Sequence, residues 1–256
     1  MVLGLQKTEM GRGNMNLRKL ILTNNDCYKA GKKIVPKGIM VHSTGANNPW
    51  LKRYIAPNDG LIGENTYGTH WNTPKPGGRQ VCVHAFIGKL ADGSIATYQT
   101  LPWNHRGWHA GGTANNTHIG FEICEDNLSD GSYFAAVYKE AVELCSYLCK
   151  QFNLTENDII CHSEGYKKGI ASNHGDVMHW FPKHGKSMDT FRKDVKEMLN
   201  KKQKSEELCT ANDIVWELAN RGIITDKQLW MKKLELDNNS YWLARKCINY
   251  IRENVQ

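Results

Sequence analysis

The sequence predicts an α/β domain, with a central mixed β-sheet flanked by helices, followed by a small C-terminal helical bundle. Three observations support this prediction. Short apolar runs alternate with helical patterns over the first part of the chain, as they do in α/β proteins. A polar, charged stretch then follows at 200–207, and three short helical patterns fill the remainder. With 256 residues, the chain is long enough for one large domain and one small one.

Five short apolar runs are predicted as strands of the sheet, at 34–44, 81–87, 94–99, 119–124 and 159–162. Between the second and third runs, the segment Ala-Asp-Gly-Ser is typical of a β-hairpin. Stretches rich in glycine, asparagine, histidine or proline are predicted as loops, at 45–79, 102–117 and 163–188.

Two helices are predicted in the same domain. Apolar residues recur at helical spacing from Tyr133 to Phe152, which makes this segment the clearest amphipathic helix in the chain. A second helix, at 189–200, closes the unit. We therefore expect a domain at 15–200, preceded by an unstructured extension at 1–14.

Residues 201–256 are predicted to form three short helices. The first begins after a cap at Thr210, the second after a capping box of Thr225 and Gln228, and the third after Ser240. The aromatic residues of this segment form either a binding face or the core of the bundle: Trp216, Trp230, Tyr241 and Trp242.

Composition and charge exclude several classes. The chain carries 33 basic and 26 acidic residues, and its net charge of +7 favours an anionic partner. Because the basic residues are scattered and no nucleic-acid-binding motif occurs, we expect no nucleic-acid partner. No apolar run is long enough for a transmembrane helix, and no secretory signal is recognised, so we expect no stable membrane insertion. The eight cysteines lack a Cys-x-x-Cys pair and are expected to be buried core residues of a protein made in a reducing cytoplasm.

Histidines at two strand ends predict a metal site. His42 ends the first predicted strand, and His162 ends the last. The ends of strands are where α/β sheets commonly place functional groups. The loop that follows, Asn-His-Gly-Asp-Val-Met-His-Trp at 173–180, offers further ligands. These residue types bind zinc when the fold brings them together, and the alternative is a set of hydrogen-bonded structural histidines.

Glu122 is the second unusual feature. In the strand Ile-Gly-Phe-Glu-Ile-Cys at 119–124, it is a lone carboxylate among apolar residues. Burying such a group is costly without a partner. It is therefore either a salt-bridged structural residue or a general base whose pKa is raised by burial.

Five blocks occur in an order that resembles the type 2 N-acetylmuramoyl-L-alanine amidases, a family that includes bacteriophage endolysins and animal peptidoglycan recognition proteins. They are Val-His-Ser-Thr at 41–44, the strand and hairpin at 83–99, Gly-Trp-His-Ala-Gly at 107–111, Ile-Gly-Phe-Glu at 119–122 and Cys-His at 161–162. The resemblance covers roughly residues 30–200 and implies the fold of that family.

The resemblance also implies one zinc ion. His42 and His162 match the two histidine ligands of the family. The third ligand is usually a Cys or Asp that precedes Pro-Gly, but here the spacing is longer and neither tripeptide occurs. Asp176 is the best match, with His179 and His174 as alternatives.

Further residues gain roles from the same resemblance. Glu122 matches the catalytic glutamate, which takes a proton from the attacking water. His174 lies two residues before Asp176, where the family often has a catalytic lysine, and is expected to stabilise the developing oxyanion. Trp108 and His109 are expected to line the substrate groove. His84 is either a substrate contact or a structural residue.

The implied function is zinc-dependent hydrolysis of the bond between N-acetylmuramic acid and L-alanine in bacterial peptidoglycan. We expect a phage endolysin that is made in the host cytoplasm and reaches the wall after the membrane is permeabilised. The alternatives are a host autolysin, a non-catalytic peptidoglycan receptor of the same fold, and a cysteine peptidase using Cys82 or Cys161. The C-terminal helices weakly resemble small modules of phage endolysins and are expected to target the cell wall, with a homodimerisation module or a helical cap as the alternatives.

Overall fold

The computed structural model describes residues 15–207 and 211–236, together with Trp242, Ala244 and Ile248. The chain divides into two compact units, Met1–Met198 and Leu199–Gln256. None of the helices among these residues has the length and apolar character needed to cross a lipid bilayer.

A six-stranded mixed sheet forms the centre of the first unit. Its strands are β1 (Leu17–Lys19), β2 (Gly38–Ser43), β3 (Ala85–Lys89), β4 (Ile95–Gln99), β5 (His118–Ile123) and β6 (Ile159–Cys161). Their order across the sheet is β1-β4-β3-β5-β2-β6. The hairpin partners β3 and β4 are antiparallel, and the other neighbours are parallel. The predicted mixed sheet is confirmed.

Strand β2 lies inside the sheet and is buried along its whole length. Strands that are covered on both faces have continuously apolar sequences, and the segment from Ile39 to Val41 is such a sequence. His42 follows directly and is only 1% exposed. A polar ring at this depth requires hydrogen-bond or metal partners.

Six α-helices lie among the described residues: α1 (Asp26–Lys29), α2 (Gly131–Phe152), α3 (His162–Lys167), α4 (Met188–Glu207), α5 (Ala211–Asn220) and α6 (Lys227–Leu236). The longest, α2, packs against β3 and β4. It begins where the side chain of Asp130 accepts from the amides of Ser132 and Tyr133, and it ends at Asn153 in the left-handed conformation.

Three of these elements are absent from the sequence prediction: the four-residue helix α1, strand β1 and helix α3. Strand β1 has three residues, too few to give a periodic signal, and it pairs with β4 at the edge of the sheet. Helix α3 begins at His162, the last residue of the predicted strand at 159–162, and extends into the predicted loop at 163–188. It forms because Glu164 accepts from the amide of Cys161 and binds Arg192 through both carboxylate oxygens. These bonds start a helix where the local composition indicates a loop.

Two further differences concern the last part of the chain. The polar stretch 200–207 continues α4 to Glu207 as helix. The second C-terminal helix is capped by Asp226, whose side chain accepts from the amide of Leu229, rather than by Thr225.

The C-terminal unit has a small apolar core of its own, made of Ile214, Val215, Leu218, Ile224, Leu234 and Ile248. Trp230 packs against this core, whereas Trp216 and Trp242 are more than half exposed. Tyr241 and most of the third predicted helix lie outside the described residues.

Candidate metal centre

Parallel strands bring the predicted site residues to one edge of the sheet. His42 on β2 pairs in register with Glu122 on β5, and β6 on the other side of β2 ends directly before His162. Since all three strands run in the same direction, their carboxyl ends meet at the same edge.

Three side chains form a compact cluster at this edge. His42 Nδ1 lies 3.0 Å from Asp176 Oδ2 and 3.1 Å from His162 Nδ1. His162 Nδ1 lies 3.6 Å from Asp176 Oδ1. All three donor atoms fall within 4.8 Å of one another. Two imidazoles and a carboxylate at these distances can hold a metal ion.

The charges in this cluster support one another. Burial opposes ionisation of Asp176, but the adjacent rings of His162 and His42 outweigh this effect and hold the pKa of that carboxyl well below its usual range. Burial lowers the pKa of His42, and Asp176 only partly offsets this effect. A carboxylate beside a neutral imidazole is the protonation state that metal ligands need.

His179, the alternative third ligand, lies elsewhere. Its Nε2 is 2.9 Å from Glu125 Oε1, which also accepts from the amide of Gly45. Glu125 is buried just after β5 and ties the loop that carries His179 to the loop that follows β2. The sequence analysis did not single out Glu125, although its position just past a strand end was a usable signal.

Glu122 faces the site without a charged partner. Its Oε2 atom is buried and has no hydrogen-bond partner among the described residues. Burial raises the pKa of Glu122 well above its usual value, and the carboxylates of Asp176 and Glu125 add to the effect. The salt-bridged alternative is therefore not what the structure contains, and these surroundings suit a general base.

His174 is exposed beside the cluster. Its Nδ1 lies 3.0 Å from Ser172 Oγ, and its ring centroid is 4.6 Å from that of His162. Ser172 Oγ also lies 3.2 Å from His162 Nε2 and donates to the carbonyl of Ala110. Ser172 thus links its own loop to the first residue of α3 and to the loop that carries Ala110, and sequence reasoning missed it because a serine in a loop gives no signal.

His84 does not fit a substrate contact. It is fully buried, its Nε2 lies 2.8 Å from the carbonyl of His105, and its Nδ1 accepts from the amide of Gly120. Burial lowers its pKa to about 4. With both ring nitrogens bonded to backbone, His84 holds the 102–107 loop against β5.

The side chains of Trp108 and His109 have different surroundings in the structure. Trp108 is 37% exposed, with the Arg106 guanidinium 4.6 Å from its ring centroid, so it is available to a substrate. His109 instead lies behind the cluster: its Nδ1 is 3.0 Å from His42 Nε2, and its Nε2 is 3.2 Å from the carbonyl of His118. No ring nitrogen of His109 is left for substrate.

The thiols named for a cysteine peptidase are poor nucleophiles. Cys82 and Cys161 are buried, and burial raises the pKa of each thiol above its usual value. All six cysteines among the described residues are buried and free.

Comparison with known proteins places this site in a family. A family model described as N-acetylmuramoyl-L-alanine amidase matches residues 31–180, which include every member of the cluster. Two amidases of Bacillus subtilis (strain 168) match shorter segments. The N-acetylmuramoyl-L-alanine amidase CwlH is 39% identical over 71 residues, covering 26% of this chain and 27% of its own length. The N-acetylmuramoyl-L-alanine amidase XlyA is 40% identical over 68 residues, covering 25% of this chain and 22% of its own length. The matched segments thus span about a quarter of these curated relatives.

Solved structures agree in fold. The hydrolase AmiA of Staphylococcus aureus, in complex with its ligand, has a TM-score of 0.51 at 18% identity, covering 76% of this chain and 87% of that chain. A mutant of PlyL has a TM-score of 0.50 at 21% identity, covering 71% of this chain and 99% of that chain. Given the family match over more than half of its length, together with the cluster of His42, His162 and Asp176, the chain belongs to the N-acetylmuramoyl-L-alanine amidase family.

Proposed function

We propose that the chain hydrolyses the amide bond between N-acetylmuramic acid and L-alanine in bacterial peptidoglycan, with one zinc ion held by His42, His162 and Asp176. The observation that carries this proposal is the three-residue cluster with Glu122 in register beside it. A receptor that binds without cleaving has no use for such a base.

The donor atoms suit zinc. Ligand atoms about 2.0–2.1 Å from a tetrahedral zinc ion are separated from one another by about 3.3 Å. Two separations within the cluster, 3.0 Å from His42 Nδ1 to Asp176 Oδ2 and 3.1 Å between the Nδ1 atoms of the two histidines, are close to that value. Three protein ligands of nitrogen and oxygen type are also the usual number in catalytic zinc sites, where the fourth position is left open.

Each remaining residue has a defined task. When bound, zinc would polarise the scissile carbonyl and lower the pKa of the attacking water. Glu122 accepts a proton from that water and returns it to the amide nitrogen of alanine as the bond breaks. His174, exposed beside the cluster, donates a hydrogen bond to the oxygen that gains negative charge. Trp108 packs against the substrate.

The two domains predicted from the sequence have different roles in this proposal. Residues 15–200 carry the hydrolysis, and residues 201–256 bind the cell wall. A second binding module raises the effective concentration of an enzyme on an insoluble polymer. The exposed Trp216 and Trp242 suit such a surface. Since cleaving this bond detaches cross-linked peptide from glycan, we assign the protein the role of a phage endolysin that lyses its host.

Purified cell walls test the proposal. The full chain with zinc is expected to release new alanine amino termini without new reducing sugar ends. A chelator should stop the release, and added zinc should restore it. Binding to walls without release would identify a receptor, whereas new reducing ends would identify a glycosidase; either result would overturn the proposal. Lysis by the separate segment 15–200, compared with the full chain, measures the contribution of the C-terminal unit.

A further inference from the structure

The two histidines of the cluster present the same ring atom to the shared centre. His42 and His162 approach through Nδ1 atoms 3.1 Å apart, and both of these atoms face Asp176. An imidazole that binds metal through Nδ1 carries its proton on Nε2. The group that accepts this proton therefore decides whether the ring is held in the metal-binding tautomer.

For His42, that group is His109. His42 Nε2 lies 3.0 Å from His109 Nδ1, and His109 Nε2 lies 3.2 Å from the carbonyl oxygen of His118. Because a carbonyl only accepts, the proton of His109 belongs on Nε2. This leaves the lone pair of Nδ1 facing His42, so the hydrogen bonds run from His42 to His109 and on to the backbone of β5.

The ring of His109 is held in this place from two sides. The side-chain oxygen of Asn115 accepts from the amides of both His109 and Ala110, at 2.9 Å each. On the other side the ring lies against Gly120, where an added Cβ would stand 2.4 Å from Nδ1. A glycine at this position of β5 is therefore required for His109 to reach His42.

For His162, the accepting group is Ser172. His162 Nε2 lies 3.2 Å from Ser172 Oγ, and that hydroxyl donates to the carbonyl of Ala110, also at 3.2 Å. A hydroxyl that donates to Ala110 has its lone pairs available for His162. The adjacent residues His109 and Ala110 thus serve both histidines, one through a ring and one through a carbonyl.

We propose that His109 and Ser172 are positioning residues that lock His42 and His162 in the tautomer that presents Nδ1 to the metal. The inference rests on the proposed function, since it takes the cluster as a zinc site. Neither residue touches substrate or metal in this assignment. Both act by preorganising a ligand, so their loss weakens metal binding itself.

Zinc affinity of the purified full chain, measured by competition with a chromophoric chelator, tests this assignment. His109→Leu removes the acceptor and is expected to weaken zinc binding by about 10–100-fold, the usual effect of losing such a partner. His109→Gln keeps an acceptor and a donor on one amide, so its zinc affinity should be close to that of the wild type. Ser172→Ala and Ser172→Thr form the same comparison at the second ligand. His105→Leu is the matched control, because His105 is a buried histidine of the preceding loop whose ring contacts Lys33 and Tyr28 instead.

Nitrogen-15 NMR of the imidazoles gives a second readout. The Nε2 proton of His42 is expected as a hydrogen-bonded signal in the wild type and in His109→Gln, and to be lost in His109→Leu. Unchanged zinc affinity in His109→Leu and Ser172→Ala, or equal losses in the leucine and glutamine variants, would overturn the proposal. If His109→Leu does not fold by circular dichroism, the Ser172 pair decides. Failure of the wild type to bind zinc would instead refute the proposed function.

Discussion

Replacing Glu140 by glutamine is expected to stabilise the protein in a pH-dependent manner. Glu140 lies on α2 and is only 7% exposed. Its Oε1 accepts from the backbone amide of Asn16 at 3.0 Å and from the hydroxyl of Thr97 at 2.9 Å. Burial raises the pKa of Glu140 to about 7, although these two hydrogen bonds oppose the rise. The folded protein therefore keeps this carboxyl neutral up to about neutral pH.

The sign and size follow from linkage. In the unfolded chain the carboxyl loses its proton near its ordinary pKa of 4.5. Because the pKa is higher in the folded state, the contribution to stability is complete below the unfolded value. It decreases as the pH rises towards 7 and is lost above that pH. Each pH unit between the two pKa values is worth about 1.4 kcal/mol, so the loss by pH 8 is about 3 kcal/mol.

Glutamine is neutral at every pH, and its Oε1 atom can accept both hydrogen bonds. Glu140→Gln should therefore match the wild type near pH 4.5 and exceed its free energy of unfolding by about 3 kcal/mol at pH 8. Urea unfolding followed by tryptophan fluorescence at both pH values measures the difference. Glu197→Gln, at an exposed position of α4, is the control and should change stability by less than about 0.5 kcal/mol. An effect of Glu140→Gln that is equal at the two pH values would refute the reasoning.

Three further predictions concern the site and its supporting loops. Glu122→Gln is expected to lower amide hydrolysis by about 10²–10⁴-fold with zinc content unchanged, since it removes the base and no ligand; metal analysis showing parallel loss of zinc would contradict this role. Asp176→Ala is expected to lower zinc content by atomic absorption, whereas His179→Ala, which removes a partner of Glu125, should not; the reverse result would move the third ligand to His179. Gly112→Ala is expected to destabilise the protein by about 1–3 kcal/mol, because its Cβ would stand 2.4 Å from the carbonyl oxygen of Ile170. Gly175→Ala, where the added Cβ meets no atom within 4 Å, is the control, and equal melting temperatures for the two variants would argue against the steric explanation.

Much of the sheet was predictable because its signals are local. The apolar run that contains β2 and the hairpin segment between β3 and β4 specify strands through their own residues. The amphipathic pattern of α2 does the same for a helix, and the observed element extends the prediction by two residues at its start. The third predicted strand, which is β4 in the structure, begins one residue later than expected. The second, β3, begins at Ala85 instead of residue 81, because Cys82 pairs with Trp108 in an isolated bridge.

The sites that sequence reasoning missed have non-local causes. Glu125 gains its role from His179 and Gly45, and Ser172 gains its role from His162 and Ala110. A serine in a loop carries no signal, and the position of Glu125 just past a strand end does not reveal its partners, because both roles depend on residues that are distant along the chain. His109 was expected at the substrate, and His84 either there or in a structural role, because a motif names residues without giving the direction of their side chains.

The sequence by itself determined the class of the fold, the strand ends at which His42 and His162 lie, and the isolated carboxylate of Glu122. Hydrophobic periodicity and chain direction depend on residues that are neighbours in the chain, so the sequence alone is enough to predict them. Only the tertiary structure decided that Asp176 rather than His179 joins the two histidines, and that His109 faces His42 instead of solvent. Those outcomes depend on the way in which the long loops pack against β5. Such packing is set by contacts between residues that are far apart in the chain.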